Sequence, residues 1–442
     1  MLSGPIFAAI MSWILYFIYL LLLVWFIWKW RFFDSPGIER KWLVALFLAK
    51  IAGGFALFFI YSFYYPSADG DIFHYFDDGL VIHNVLFQNP VDYLKIMTGI
   101  GASSPDLMPY YDTCNFWLKR FDYGLPNDNH IIIRANALMC LLSMGNFHIH
   151  NMFFGFLAFV GLWAIYKSFA RQLSHKRTLL LIAVFCFPSV WLWTSGALKE
   201  SILIFAFGLL VYNFRSLIDK PSAGSVIWVV VCLFLLMQSK FYVLMAALPA
   251  FAAMVWIRRR PKKAFVKFLT AHVVIFAAAW LSKFITGVDL FDVICWKQHD
   301  FMMMVQSVQA GSTIDLPVLD NGLASIVANS PRAFLTSLLR PTVFEHGSAA
   351  MMVAGIENVL ILCVLAAGLF YLKPQNLANH DVWYSLSFIV ILFVLIGLTT
   401  PVLGALVRYK VPALPFIGIM LLTAASDERL QTIDKWIAGK LK

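Results

Sequence analysis

The tripeptide Asp69-Gly70-Asp71 stands just past an apolar run, Trp42 to Tyr65, whose sole charge is Lys50. In an extended chain, side chains two residues apart point to the same side. Gly70 between them permits a tight turn and the close approach of a bulky substrate. Water is scarce at a membrane edge, so a carboxylate there can hold a raised pKa and act as a general base. Asp71 is the first choice for that role and Asp69 the second. Asp77 and Asp78 follow on a stretch that reads as helix, where at least one must face solvent.

Cations that could neutralise an anionic leaving group lie far along the chain. Lys199 and Glu200 are the only charges between Leu179 and Phe214. Two ionisable groups beside a bilayer core cost kilocalories per mole unless they pair or line a wet cavity. They either neutralise each other at a helix start or line a cavity whose rim is broken by Pro188, Ser195 and Gly196. Lys240 stands beside a similar hinge at Ser239. The segment PRAFLTSLLRPTVFEHG, 331–347, supplies Arg332, Arg340, Glu345 and His346. Its arginines suit a two-pronged grip on phosphate, of a substrate or of membrane lipid. Arg408, Tyr409 and Lys410 end an uncharged run from Val382, with Pro412 and Pro415 loosening the helix behind them. Closely spaced aspartates also suit Mg²⁺ or Mn²⁺. A divalent metal is therefore an option that arginine could replace, and no other cofactor is implied.

These residues need a membrane scaffold. Of the 442 residues, 61% are hydrophobic and 13% charged, against the roughly 25% charged residues of soluble domains. The first apolar run, Pro5 to Trp28, is too long for the core of a cleavable signal. The six cysteines show no CxxC or metal-like spacing, and neither a Walker loop nor GxGxxG occurs. That argues against redox chemistry, structural zinc, an ATP-driven pump and a dinucleotide enzyme. The net charge of +10 falls mainly in loops flanking apolar runs, so no nucleic-acid partner is needed.

Spans are expected at 5–28, 43–63, 150–167, 179–195, 198–214, 226–238, 242–257, 264–286, 350–372, 382–400 and 406–425. The expectation is an all-α, multi-pass bundle of about eleven spans, with the whole chain as one transmembrane domain. The basic stretches at 29–42, 167–177, 215–220, 258–263, 371–375 and the C-terminal tail belong in the cytoplasm by the positive-inside rule. The register closes if the apolar piece 131–145 does not cross and is instead re-entrant or interfacial. The extracytoplasmic parts are then 66–130, carrying nine Asp against Lys95, Lys119 and Arg120, the hinges near Gly196, Ser239 and Pro401, and 287–349. Within the first, Phe76, Leu80, Ile82, Val85 and Leu86 fall broadly on one helical face. Glu357, alone in its span, turns into the bundle.

The order of these features resembles the GT-C class of integral-membrane glycosyltransferases. The features are Asp-Gly-Asp in the first outward loop, a helix break with Lys-Glu, and Arg-Tyr-x-x-Pro-x-x-Pro, here 408–415. The resemblance covers the organisation of the whole chain through short motifs. In that class the acidic loop follows the first span; here it follows the second. The likeness implies a polyprenyl-phosphate sugar donor, an acidic base carried over to Asp71 or Asp69, and a phosphate ligand carried over to Arg408. The acceptor stays open among lipid, glycan and protein, and a bacterial inner membrane is the expected location. Lys199 and Arg340 are phosphate candidates on local chemistry alone. Two other classes compete: a glycan polymerase or ligase of the O-antigen type, and a transporter or flippase. Inverted repeats and midplane charges would mark a transporter; no internal repeat is visible.

Overall fold

A computed structural model describes residues 4–64, 70–118, 127–259, 262–287, 289–308, 311–345 and 348–440. Helix dominates, and the described residues hold no strand beyond two isolated bridges, Thr313 to Val402 and Leu372 to Ala425. The first half contains α1 (Gly4–Lys29), α2 (Arg40–Phe59), α3 (Asp71–Gln88), α4 (Pro90–Thr98), α5 (Met108–Tyr111), α6 (His130–Ser143) and α7 (Phe147–Ala170). Then come α8 (Arg177–Phe185), α9 (Pro188–Trp193), α10 (Lys199–Asp219), α11 (Ala223–Ser239), α12 (Phe241–Arg259), α13 (Ala264–Leu281) and α14 (Lys283–Thr286). The remainder is α15 (Asp292–Val308), α16 (Leu323–Leu339), α17 (Ala349–Phe370), α18 (His380–Thr399), α19 (Leu403–Lys410), α20 (Leu414–Ala424) and α21 (Asp427–Lys440).

Among the described residues, eight helices are long and apolar enough to cross a membrane, or nine if α19 and α20, bent by 51° at their junction, form one span. The protein is thus a helical, multi-pass membrane bundle. The stretch expected as a span at 179–195 is broken in two at Pro188, because proline has no amide to continue the ladder. The stretch at 226–238 lies in the 17-residue α11. α6 has 14 residues, ~21 Å of helix, too short to cross alone. Its end lies against the middle of α1, where the Tyr19 hydroxyl donates to the Leu142 carbonyl at 3.0 Å.

The basic stretches meet at one end of this bundle. Lys167 donates to the Phe32 carbonyl at 3.0 Å, and Arg177 to that of Pro36 at 2.7 Å. Arg215 bonds both Gln172 and Asp381, Arg258 pairs with Asp219, and Lys373 N donates to the Ala424 carbonyl. Asp434 of the tail accepts from Leu179 N at 2.7 Å. The acidic elements α3 to α5 and the turns at 194–198, 240 and 400–402 lie at the other end.

Close helix contacts rest on small residues, as expected where lipid removes the hydrophobic drive between helices. A Cβ on Gly208 of α10 would lie 2.0 Å from the Gly161 carbonyl oxygen of α7, and one on Gly161 would lie 2.2 Å from that of Ile204. Within α3, Phe76, Ile82 and Val85 are buried as the helical face requires, while Asp77 is exposed and Asp78 buried. Asp78 is tied down: its carboxylate accepts from Asn115 N at 2.6 Å, Asn115 Nδ2 at 3.0 Å and Phe116 N at 2.8 Å.

Candidate functional site

The site is built on the break between α9 and α10. α9 has six residues and a buried charge at each end. Glu357 of α17 accepts from Ser189 N at 2.9 Å and from the Ser189 hydroxyl, at the positive end of the helix. Lys50 of α2 donates to the Val190 carbonyl at 3.2 Å and to the Thr194 hydroxyl, at the negative end. Both placements complement the helix dipole. Beyond α9 the chain runs buried through Ser195, Gly196, Ala197 and Leu198. Ala197 N is satisfied by Asn151 Oδ1 at 2.9 Å. A small cavity lined by Tyr16, Gly54, His148, Asn151 and Ser195 lies under this break, and none of the charged residues described next lines it.

α10 then opens with Lys199 and Glu200, 8% and 0% exposed. Consecutive helical residues do not face each other, and the two find different partners. Lys199 Nζ reaches Asp128 Oδ1 at 3.0 Å and Asn129 Oδ1 at 2.9 Å. Glu200 lies between Lys240 Nζ and Arg408 Nη2, each at 2.8 Å. These two contacts have the geometry of ion pairs rather than aligned hydrogen bonds. Arg408 Nη1 donates to Asp71 Oδ2 at 2.8 Å. One guanidinium therefore spans two carboxylates, from α3 and α10.

Aromatic rings enclose the charges. Lys240 Nζ sits 3.6 Å from the Tyr409 ring centre, and Arg408 lies over Trp193 at 5.8 Å. Tyr75 of α3 donates to Asn129 Oδ1 at 3.2 Å and stands under Lys199. Burial, reinforced by the charge of Asp71, holds the Tyr75 phenol well above its usual pKa. α15 approaches from the side. Phe301 meets Tyr409 at 6.3 Å between ring centres, and Lys297, one turn earlier, acts electrostatically on Asp128. Burial raises the Asp128 pKa, but Lys199 and Lys297 outweigh it and hold the carboxyl well below the usual range. At Lys240, in the turn after α11, burial outweighs the pull of Glu200 and lowers the ammonium to about 8.

Of the residues singled out from sequence, Asp71, Lys199, Glu200, Lys240, Arg408 and Tyr409 converge here. Arg340 and Glu345 do not join them. They pair with each other, and Glu345 also accepts from Thr342 N at 2.6 Å. Lys410 leaves α19 on another side, donating to the Arg340 carbonyl at 2.7 Å and Asn358 Oδ1 at 3.1 Å. Asp69 and His346 lie outside the described residues. Sequence reasoning missed Asp128, Asn129, Tyr75 and Lys297. Asp128 and Asn129 sit in a polar segment where nothing distinguishes them; Lys297 is the sole lysine of the outward stretch 287–349, and that was the available signal.

Three carboxylates and three cations (Asp71, Asp128, Glu200; Lys199, Lys240, Arg408) balance formally, and Lys297 makes no ion pair among the described residues. No group of three or more His, Cys, Asp or Glu side chains is placed to hold a metal among the described residues. No family model, curated protein or solved structure matches this chain.

Proposed function

We propose that the protein is a membrane glycosyltransferase that moves a sugar from a polyprenyl-phosphate donor to an acceptor hydroxyl at the extracytoplasmic face. The observation that carries this reading is the bridge of Arg408 between Asp71 and Glu200, at the end of the bundle opposite the basic stretches. The two carboxylates have different roles because they differ in access. The Asp71 side chain is 38% exposed and that of Glu200 1%. Asp71 can meet a substrate; Glu200 holds Arg408 in place.

In the reaction the acceptor oxygen attacks the anomeric carbon while Asp71 takes its proton. The bond from that carbon to the phosphate oxygen breaks, and polyprenyl phosphate leaves with the electron pair. Its negative charge is met by Lys297, which makes no ion pair among the described residues, and by Nη1 of Arg408 once Asp71 is protonated. Preorganised cations in a poorly hydrated site stabilise such charge strongly. Lipid, glycan and protein acceptors all carry the required hydroxyl.

A transporter reading draws on charges at mid-membrane, and the two candidates, Lys50 and Glu357, have another use here as the caps of α9. A polymerase or ligase would use a lipid-pyrophosphate donor at the same cations. The test is to incubate purified protein with a polyprenyl-phosphate sugar and measure release of polyprenyl phosphate and labelling of acceptor. Wild-type turnover that Asp71→Asn abolishes supports the proposal. Turnover with the pyrophosphate donor alone, or none with either donor, overturns it.

A further inference from the structure

At the basic end, α13 carries a cation in the wrong stripe. Ala264, Lys267, Phe268 and Ala271 are its buried residues, the spacing of a face packed on other helices. Three of the four are apolar or small, as that face requires. Lys267 is 7% exposed, and its Nζ is buried with no hydrogen-bond partner among the described residues. Its ammonium lies over the Trp256 ring of α12, 6.0 Å from the ring centre. A buried ammonium without a counter-charge is costly, so the position calls for an anion that no described residue provides.

The surroundings indicate which anion. Side chains in a helix lean toward its N-terminus, so Lys267, in the first turns of α13, aims its ammonium at the basic end of the bundle. The sequence from the end of α12 into α13, 258–263, reads Arg-Arg-Arg-Pro-Lys-Lys, five cations and no acid, of which Arg258 pairs with Asp219. The outer side of α13 is apolar and open: Phe265, Val266, Leu269 and Val273 are 52%, 50%, 53% and 61% exposed. In a membrane protein, acyl chains lie along such a face, and the headgroup of the same lipid reaches the helix start. Basic pockets between spans on the cytoplasmic side are suited to anionic headgroups. We propose that Lys267 is the buried anchor of an anionic-phospholipid site, with the headgroup phosphate between α12 and α13 and the acyl chains along α13. This site lies at the opposite end from Asp71 and does not depend on the glycosyltransferase reading.

The test uses the full-length protein in neutral detergent, delipidated, with phosphatidylglycerol, phosphatidylcholine or inorganic phosphate added back. Phosphatidylglycerol should raise the melting temperature and stay bound in native mass spectrometry; phosphatidylcholine and inorganic phosphate should not. Lys267→Met should weaken phosphatidylglycerol binding about fivefold, the share of one lysine at an anionic surface. Without lipid, Lys267→Met should melt no lower than wild type, because it removes an unpaired buried charge. Unchanged lipid binding in Lys267→Met would overturn the proposal. So would an equal shift with inorganic phosphate, which would make the ligand a soluble anion. A lower lipid-free melting temperature in Lys267→Met would reveal a structural partner within the chain and likewise exclude the site.

Discussion

Asp71 and Arg408, 337 positions apart, are joined by a 2.8 Å hydrogen bond, and the same guanidinium is ion-paired with Glu200. Asp71→Asn keeps size and hydrogen bonding but cannot take a proton. Turnover should fall by about two to four orders of magnitude, the scale of a lost general base, with donor binding retained. Arg408→Gln removes a cation from two carboxylates, one of them fully buried, and should cost about 3–5 kcal/mol of stability as well. Thermal melting of both variants beside their activity separates the two effects. Full activity in Asp71→Asn would overturn its role as the general base.

Lys199 and Asp128 form the second pair. Lys199→Met should abolish turnover while the protein stays folded, since Asp128 keeps 37% of its side-chain surface and can be solvated. The double variant Lys199→Met/Asp128→Asn removes both charges together. If the pair serves only structure, activity returns in the double variant. If Lys199 acts on the substrate, it does not, and that is the expected result.

The pH dependence should carry the mark of Lys240. Its pKa of about 8 lies below the ordinary lysine value, so it loses its charge as the pH rises through 8 and leaves Glu200 with Arg408 alone. Activity should decline with an apparent pKa near 8. Stability moves the other way. Between about 8 and the unfolded value near 10.4 the unfolded chain binds more protons than the folded one, so this group's contribution to folding rises with pH. A pH–rate profile of Lys240→Arg, which stays charged, should lack that alkaline limb.

Lys297→Gln removes the α15 cation that makes no ion pair among the described residues. The kcat/KM for a polyprenyl-phosphate sugar should drop about 10- to 100-fold, the range of a charge-assisted contact, and Lys297→Arg should recover most of it. An unaffected kcat/KM in Lys297→Gln would take α15 out of the proposed donor site.

The α7–α10 contact supplies a stability prediction. Gly208→Ala places a methyl 2.0 Å from a backbone oxygen, so the helices must separate at a cost of about 1–3 kcal/mol. A melting temperature equal to wild type would show that the helices part freely.

Much of the scaffold was legible in the sequence because it follows from local transfer energetics. Runs as apolar as 5–28 or 382–400 have one stable fate in lipid, and clusters such as 258–263 must gather at one end. The same reasoning flagged Asp71, Glu200, Lys240 and Arg408 individually, since a charge beside an apolar run requires a reason. What it could not supply was partnership. Lys199 and Glu200, adjacent in the chain, diverge around the helix to Asp128 and to Lys240 with Arg408. Arg340, equal to Arg408 as a local signal, is taken by Glu345 five residues away. Glu357, expected to turn into the bundle, and Lys50, the sole charge of its run, cap the two ends of α9, a break that no local signal pairs with either of them. Ion pairing depends on a few ångströms of separation between elements hundreds of residues apart, and those separations are set by helix packing, through contacts such as Gly161 on Gly208, rather than by any local preference of the chain.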